Sequence, residues 1–218
     1  MRPALSLFVL MMGLAACSPA LLRATPQRSY QIIEQVAVDD FAHIGRWDRY
    51  DVDALRIGVF DGSLEINSSL PNYVWTLDRR EQSNSVIQVT TTYLSPYDKG
   101  IYGLICRASP QNDGSGYFFL VSADGAYSIR RGAGSAIDAL VPWQNGGGLR
   151  RGQATNELRA VCIDDYLALY INGEFVADVR DDRYRSGFTG LAAALALRAA
   201  AEDRVFLRFS DLRIFSAR

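Results

Sequence analysis

From residue 55 to residue 215 the chain keeps alternating apolar or β-branched residues with polar ones, in runs too short for multi-turn helices. The clearest runs span residues 55–60, 63–67, 86–94, 101–107, 117–122 and 126–130, then 156–164, 166–171, 174–179, 187–197 and 204–215. Asp61-Gly62, Asp124-Gly125 and Asn172-Gly173 each lie between two such runs and supply the positive φ that tight hairpins demand. Asn172-Gly173 is the sharpest of these, with Leu167, Leu169 and Ile171 alternating before it and Phe175 after it. Residues 191–201 (LAAALALRAAA) alone have high helix propensity. Among so many strands, their first half is read as strand and their second as loop. No long Pro/Gly/Ser linker interrupts residues 37–218. The pattern predicts one all-β domain, a two-sheet antiparallel sandwich.

The N-terminus breaks this pattern. After Met1 and Arg2, residues 4–16 carry no charge and lead to Cys17. As a helix this run reaches roughly 20 Å, short of the roughly 30 Å hydrocarbon layer of a bilayer, so it reads as a signal peptide over residues 1–16. Leu14, Ala15, Ala16 and Cys17 resemble the bacterial lipobox. That resemblance implies cleavage before Cys17, a diacylglyceryl thioether on its sulfur, and an extracytoplasmic protein held at a membrane by its lipid. Ser18, where inner-membrane lipoproteins carry Asp, points to the outer membrane or cell surface. Residues 18–29 hold two prolines and little periodicity, so residues 17–36 are expected to be lipidated N-terminus and tether.

Charge and cysteine narrow the field further. The chain holds 23 Lys+Arg against 24 Asp+Glu, and removing Arg2 with the signal leaves 22 against 24, a net charge of −2. That balance leaves no nucleic-acid footprint. With Cys17 acylated, Cys106 and Cys162 form an even pair, each inside a strand-like run, in a compartment that permits disulfides. A bridge closing a loop of about 57 residues is worth roughly 4 kcal/mol in the chain-entropy picture. The alternative, a catalytic thiol, needs a basic partner, and His43 is the only histidine.

A string of short motifs then carries a family resemblance. It includes Asp39-Asp40-Phe41, Trp47, Phe60-Asp61-Gly62-Ser63-Leu64-Glu65-Ile66, Tyr102-Gly103-Leu104, Cys106-Arg107 and Tyr117-Phe118. Ser122-Ala123-Asp124-Gly125, Trp143, Asn156-Glu157-Leu158-Arg159, Leu169-Tyr170-Ile171-Asn172-Gly173, Ser186-Gly187, Gly190-Leu191 and Phe209-Ser210-Asp211-Leu212 continue it. In this order they resemble concanavalin A-like lectin/glucanase domains of bacteria, most nearly the set around the 3-keto-disaccharide hydrolase-like and laminin-G-like jelly rolls. The resemblance runs over roughly residues 37 to 215 and implies a two-sheet antiparallel jelly roll.

Catalytic chemistry finds little footing. Glucanases of this fold present carboxylates as Glu-x-Asp-x-x-Glu, and no such string occurs here. Gly114-Ser115-Gly116 is not a Gly-x-Ser-x-Gly elbow, and Gly132-Ala133-Gly134 lacks the Lys of a phosphate loop. Zinc has no ligand set. No cofactor is expected, and calcium has candidate oxygens only at Asp181, Asp182 or Asp124.

Binding fits better, because an aromatic face covers the apolar face of a pyranose while amides and Arg meet its hydroxyls. The candidates are Tyr73, Trp75, Tyr97, Tyr102, Arg107 and Trp143. Tyr166, Tyr170 and Phe175 are assigned to packing. Strand alternation sets Tyr102, Leu104 and Cys106 on one side and Gly103, Ile105 and Arg107 on the other. The expectation is that the Arg107 side faces outward, with Trp143 and Tyr97 at the rim. Non-catalytic recognition of a carbohydrate or envelope glycan ranks first, docking of an envelope protein without a sugar site second, and a glycoside-acting enzyme third.

Overall fold

The computed structural model of the chain describes residues 25–196 and 199–218. Its strands are β1 (Ile32–Asp39), β2 (Tyr50–Val52), β3 (Leu55–Phe60), β4 (Ser63–Ser68), β5 (Val74–Gln82), β6 (Ser85–Tyr93), β7 (Ile101–Ala108) and β8 (Gly116–Ser122). They continue as β9 (Ala126–Ala133), β10 (Ala136–Asn145), β11 (Thr155–Ile163), β12 (Tyr166–Ile171), β13 (Glu174–Arg180), β14 (Gly187–Ala194) and β15 (Val205–Ala217). A nine-stranded sheet has the order β13-β12-β11-β6-β15-β4-β3-β2, with β1 paired to β15; a six-stranded sheet has the order β10-β9-β8-β7-β14-β5. Both are antiparallel throughout, and together they form the expected jelly-roll sandwich.

The inner faces follow from period-2 alternation. Ile87 and Val89 of β6, Leu158 and Ala160 of β11, and Leu207 and Phe209 of β15 meet Tyr102 and Leu104 of β7, Phe119 of β8, Ile129 of β9 and Leu191 of β14 in one buried core. Each such side chain contributes about 1.5–3 kcal/mol of burial. Cys106 and Cys162 are joined as a disulfide, so β7 of one sheet is bonded covalently to β11 of the other.

The hairpins fall where the Asx-Gly pairs sit. Asp61-Gly62 joins β3 to β4, Asp124-Gly125 joins β8 to β9, and Asn172-Gly173 joins β12 to β13; Asp61, Asn172 and all three glycines have positive φ. Strand β14 ends at Ala194, short of the expected residue 197, and residues 197–198 lie outside the described residues.

At the N-terminus the fold starts earlier than residue 37. Strand β1 begins at Ile32, and Gln31 exchanges backbone hydrogen bonds with Arg218. Gln27 donates to Asp178, Arg28 pairs with Asp164, and the Tyr30 ring meets Tyr170 edge-on at 6.4 Å. The far end of the expected tether is thus packed onto the nine-stranded sheet, where Tyr30 lies against the apolar cluster of that face and β1 is held by its backbone pairing with β15. The lipobox, Cys17 and the signal segment lie outside the described residues. At the end of β1, Asp39 accepts hydrogen bonds from the Phe41 N–H and the Trp47 indole, which seats both rings in the core.

Candidate functional site

Because Tyr102, Leu104 and Cys106 point into the sandwich, Ile101, Gly103 and Ile105 of β7 point out of it. On the outer face of the six-stranded sheet, Ile101 and Ile105 join Leu77 of β5, Phe118 and Leu120 of β8, and Ala192 and Ala194 of β14 in a second apolar cluster. The neighbouring strands β7 and β14 carry small residues at Gly103, Gly190, Ala192 and Ala194. Tyr73, Trp75, Trp143 and Phe188 pack on this floor from its margins. Aromatic rings at the edge of an apolar floor of small residues offer flat apolar surface open to a ligand.

One end of the face opens as a cleft of about 470 Å³ lined by Pro71, Asn72, Tyr73, Trp75, Gly114, Phe118, Gly134, Ser135, Ala136 and Ile137. Tyr73, in the β4–β5 loop, meets Phe118 edge-on with ring centroids 6.2 Å apart. Burial raises its phenol pKa, and the charge of Arg130 draws it partly back. The Trp75 indole donates to Asn112 Oδ1 at 2.5 Å, which fixes the ring against the β7–β8 loop. Gly114 has φ +85, and a Cβ there would lie 2.8 Å from the Gly134 carbonyl oxygen. Both glycine-rich stretches singled out in the sequence therefore meet at the rim of one cleft. Its lining offers rings, an amide, a hydroxyl and backbone groups, and holds no carboxylate.

Of the sequence candidates, Tyr73, Trp75 and Trp143 come together on this face. Trp143 sits on β10 with the Arg130 guanidinium 5.4 Å from its ring centroid. Tyr97 lies apart in the β6–β7 loop, half-buried against the main core, and its carbonyl accepts the Tyr93 hydroxyl at 2.6 Å. Burial, reinforced by Asp203, Asp98 and Asp124, raises its phenol pKa.

Two candidates are overturned. Tyr102 is fully buried between the sheets, stacked on Tyr93 with centroids 5.4 Å apart, and burial pushes its phenol up to about 12. No ligand reaches it there. Arg107 was expected to face outward and is instead buried, 2 % exposed. A register shift between β7 and β14 and a φ of +54 at Arg107 break the alternation that placed it outside. Gly187 makes the bulge possible, since a Cβ there would collide with the backbone of Arg107 and Ala108. The Arg107 guanidinium donates to the carbonyls of Ser83, Asp164 and Tyr184 and to Asn84 Oδ1, tying three loops across the end of the sandwich. Burial lowers its pKa.

The calcium candidates do not converge. Asp181 accepts the Tyr117 hydroxyl on Oδ1 and Arg131 on Oδ2, while Asp182 pairs with Arg185. Among the described residues no three acidic, histidine or cysteine side chains gather as a metal would require.

Sequence reasoning missed Arg130, Phe118 and Asn112. Phe118 and Arg130 lie in recognised strands and oppose one another in the β8–β9 ladder, so hairpin register could have found them; Asn112 is placed by a loop and left no signal.

No family model and no curated protein sequence matches the chain. Among solved structures, it is similar to the carbohydrate-binding module CBM66 from Bacillus subtilis, with 14% identity, TM-score 0.58, and 69% of this chain and 86% of that one covered. It is similar to a Bacillus subtilis protein of unknown function with a galectin-like fold, at 13% identity and TM-score 0.64, over 87% of this chain and 99% of that one. A Bacillus licheniformis β-glucanase matches at 8% identity and TM-score 0.59, over 86% of this chain and 100% of that one. These likenesses establish the fold.

Proposed function

We propose that this domain binds a carbohydrate or cell-envelope glycan without cleaving it, on the outer face of its six-stranded sheet. The observation that carries the reading is the cleft where Tyr73, Trp75 and Phe118 converge beside Asn72 and Ser135. Rings of this kind stack on the apolar face of a sugar while amide and hydroxyl groups meet its hydroxyls. The carbohydrate-binding module among the similar structures supports the reading. Polysaccharide pull-down and glycan-array binding with residues 25–218 test it: retention by the parent chain and its loss in Trp75→Ala are expected. No retention on any glycan, or release of reducing ends, overturns it.

We further propose that Cys17 carries the lipid anchor, which places the sandwich outside the cytoplasm at the outer membrane or cell surface. Cys17→Ser is expected to abolish incorporation of labelled palmitate and to release the protein from the membrane fraction. Continued labelling overturns the anchor.

A second reading, docking of an envelope protein, has one observation in its favour. Strand β1 exposes Ile32, Ile33, Val36 and Val38 at 50, 58, 37 and 55%. Such an edge takes an added strand. A Val36→Lys, Val38→Lys variant that keeps glycan retention but loses a crosslinked envelope partner would favour it.

A further inference from the structure

We propose that the glycan bound on this face is acidic and that Arg130 recognises its carboxylate; this rests on the carbohydrate reading above. Arg130 lies directly across from Phe118 in the β8–β9 ladder, so its side chain rises beside the floor of the cleft. Its Nε donates to Ser128 Oγ at 3.1 Å, and its guanidinium carbon stands 5.4 Å from the Trp143 centroid. Ser128 is itself buried and donates to the Val141 carbonyl, so the support under the guanidinium is fixed. The charge is also felt by the Tyr73 phenol, whose pKa it lowers against the effect of burial. The cation is therefore held against a tryptophan on an otherwise apolar face.

What it lacks is an anion. Its sequence neighbour Arg131, on the opposite side of β9, reaches both Asp138 and Asp181. Arg80, Arg159 and Arg208 have their own carboxylates in Asp78, Glu157 and Glu65. Among the described residues no carboxylate lies within ion-pair distance of Arg130. A guanidinium partly removed from water against aromatic rings gains most from a planar anion that accepts both outer N–H groups at once. A uronate or sialate carboxylate is that anion, and a sugar ring attached to it would lie toward Phe118 and Tyr73. A neutral sugar leaves the charge unmet.

The test uses the full chain and polygalacturonate, polymannuronate, hyaluronan and sialylated glycans, each beside the same polymer after carboxyl reduction. Binding to at least one acidic form is expected, at least tenfold tighter than to its reduced counterpart. Arg130→Gln should bring the ratio of acidic to reduced affinity down to about one, with Arg130→Lys between. Trp75→Ala should weaken both forms. Equal binding to the acidic and reduced polymers, or an Arg130→Gln variant that binds the acidic form as the parent does, overturns the inference and leaves the carbohydrate reading standing. Failure to bind any glycan, acidic or neutral, overturns both.

Discussion

The two sheets share one core but present opposite outer faces. On the nine-stranded sheet the outward positions are polar and matched across strands: Glu65 with Arg208, Gln88 with Glu157, and Thr92 with Thr155. Where that face turns apolar, at Val86, Val161, Ile163 and Tyr166, Tyr30 and the segment before β1 lie on it. On the six-stranded sheet the outward positions are Leu77, Ile105, Phe118, Leu120 and Ala192, and the groups packed there are aromatic side chains around a cleft. One face is finished by its own chain; the other ends in an open cleft. The difference teaches where to look for a ligand in a sandwich with no catalytic motif: at the apolar outer face, not at the charged one.

The comparison depends on the two sheets staying in register, so the strongest way to break it is to unclasp them. Replacing Cys106 and Cys162 with alanine should cost about 4 kcal/mol, read as a lowered urea midpoint, and should match the effect of reductant on the parent. Next is Arg107→Met, which strips donors from three loop carbonyls and removes a buried, hydrogen-bonded guanidinium, and should cost about 3 kcal/mol. The affinity of the folded fraction should stay unchanged, which separates this arginine from Arg130. Trp75→Ala should weaken glycan binding by at least tenfold, about 1.4 kcal/mol, in a titration, while Arg208→Ala on the other face leaves affinity alone and shifts stability by no more than about 1 kcal/mol.

The smallest effect is a pH dependence. Burial acts to raise the Asp181 pKa, but the Tyr117 hydroxyl, the Arg183 N–H and Arg131 outweigh it, and the net direction is down. A carboxylate with a lowered folded-state pKa contributes stability that is complete above its ordinary value near 4 and is lost as pH falls through the lowered one. Melting curves between about pH 5 and pH 2 should therefore fall less steeply for Asp181→Asn than for the parent.

The interior of the fold was legible and its margins were not. Strands β3 and β12 coincide with their sequence runs, since an Asx-Gly turn fixes the end of each. The strands with no run of their own, β1, β2, β5 and β10, all border a sheet or lie off its main path. Strand β5 carries Asp78, Arg79, Arg80 and Glu81 in succession, and β10 contains Pro142 and two register shifts, features an edge tolerates and a central strand does not. For the site, the rings Tyr73, Trp75 and Trp143 were legible by chemistry. Tyr102 was decidable too: it shares a side with Cys106, and a cysteine that bridges two sheets must point between them. Arg107 was not, because a bulge resets alternation without changing composition.

The contacts of residues 27–31 also have a mechanical meaning. Under the proposed anchor at Cys17 and the proposed glycan at the cleft, tension would run along the chain from its N-terminus. That load enters through the Gln27–Asp178 and Arg28–Asp164 contacts and the Gln31–Arg218 backbone pair before it reaches β1. The first two contacts reach β13 and the β11–β12 turn, and the Gln31–Arg218 pair joins the segment before β1 to the residue after β15. Behind them the Cys106–Cys162 link makes the intervening loop inextensible. A load of that kind meets the contacts of residues 27–31 before the strands that bear the cleft.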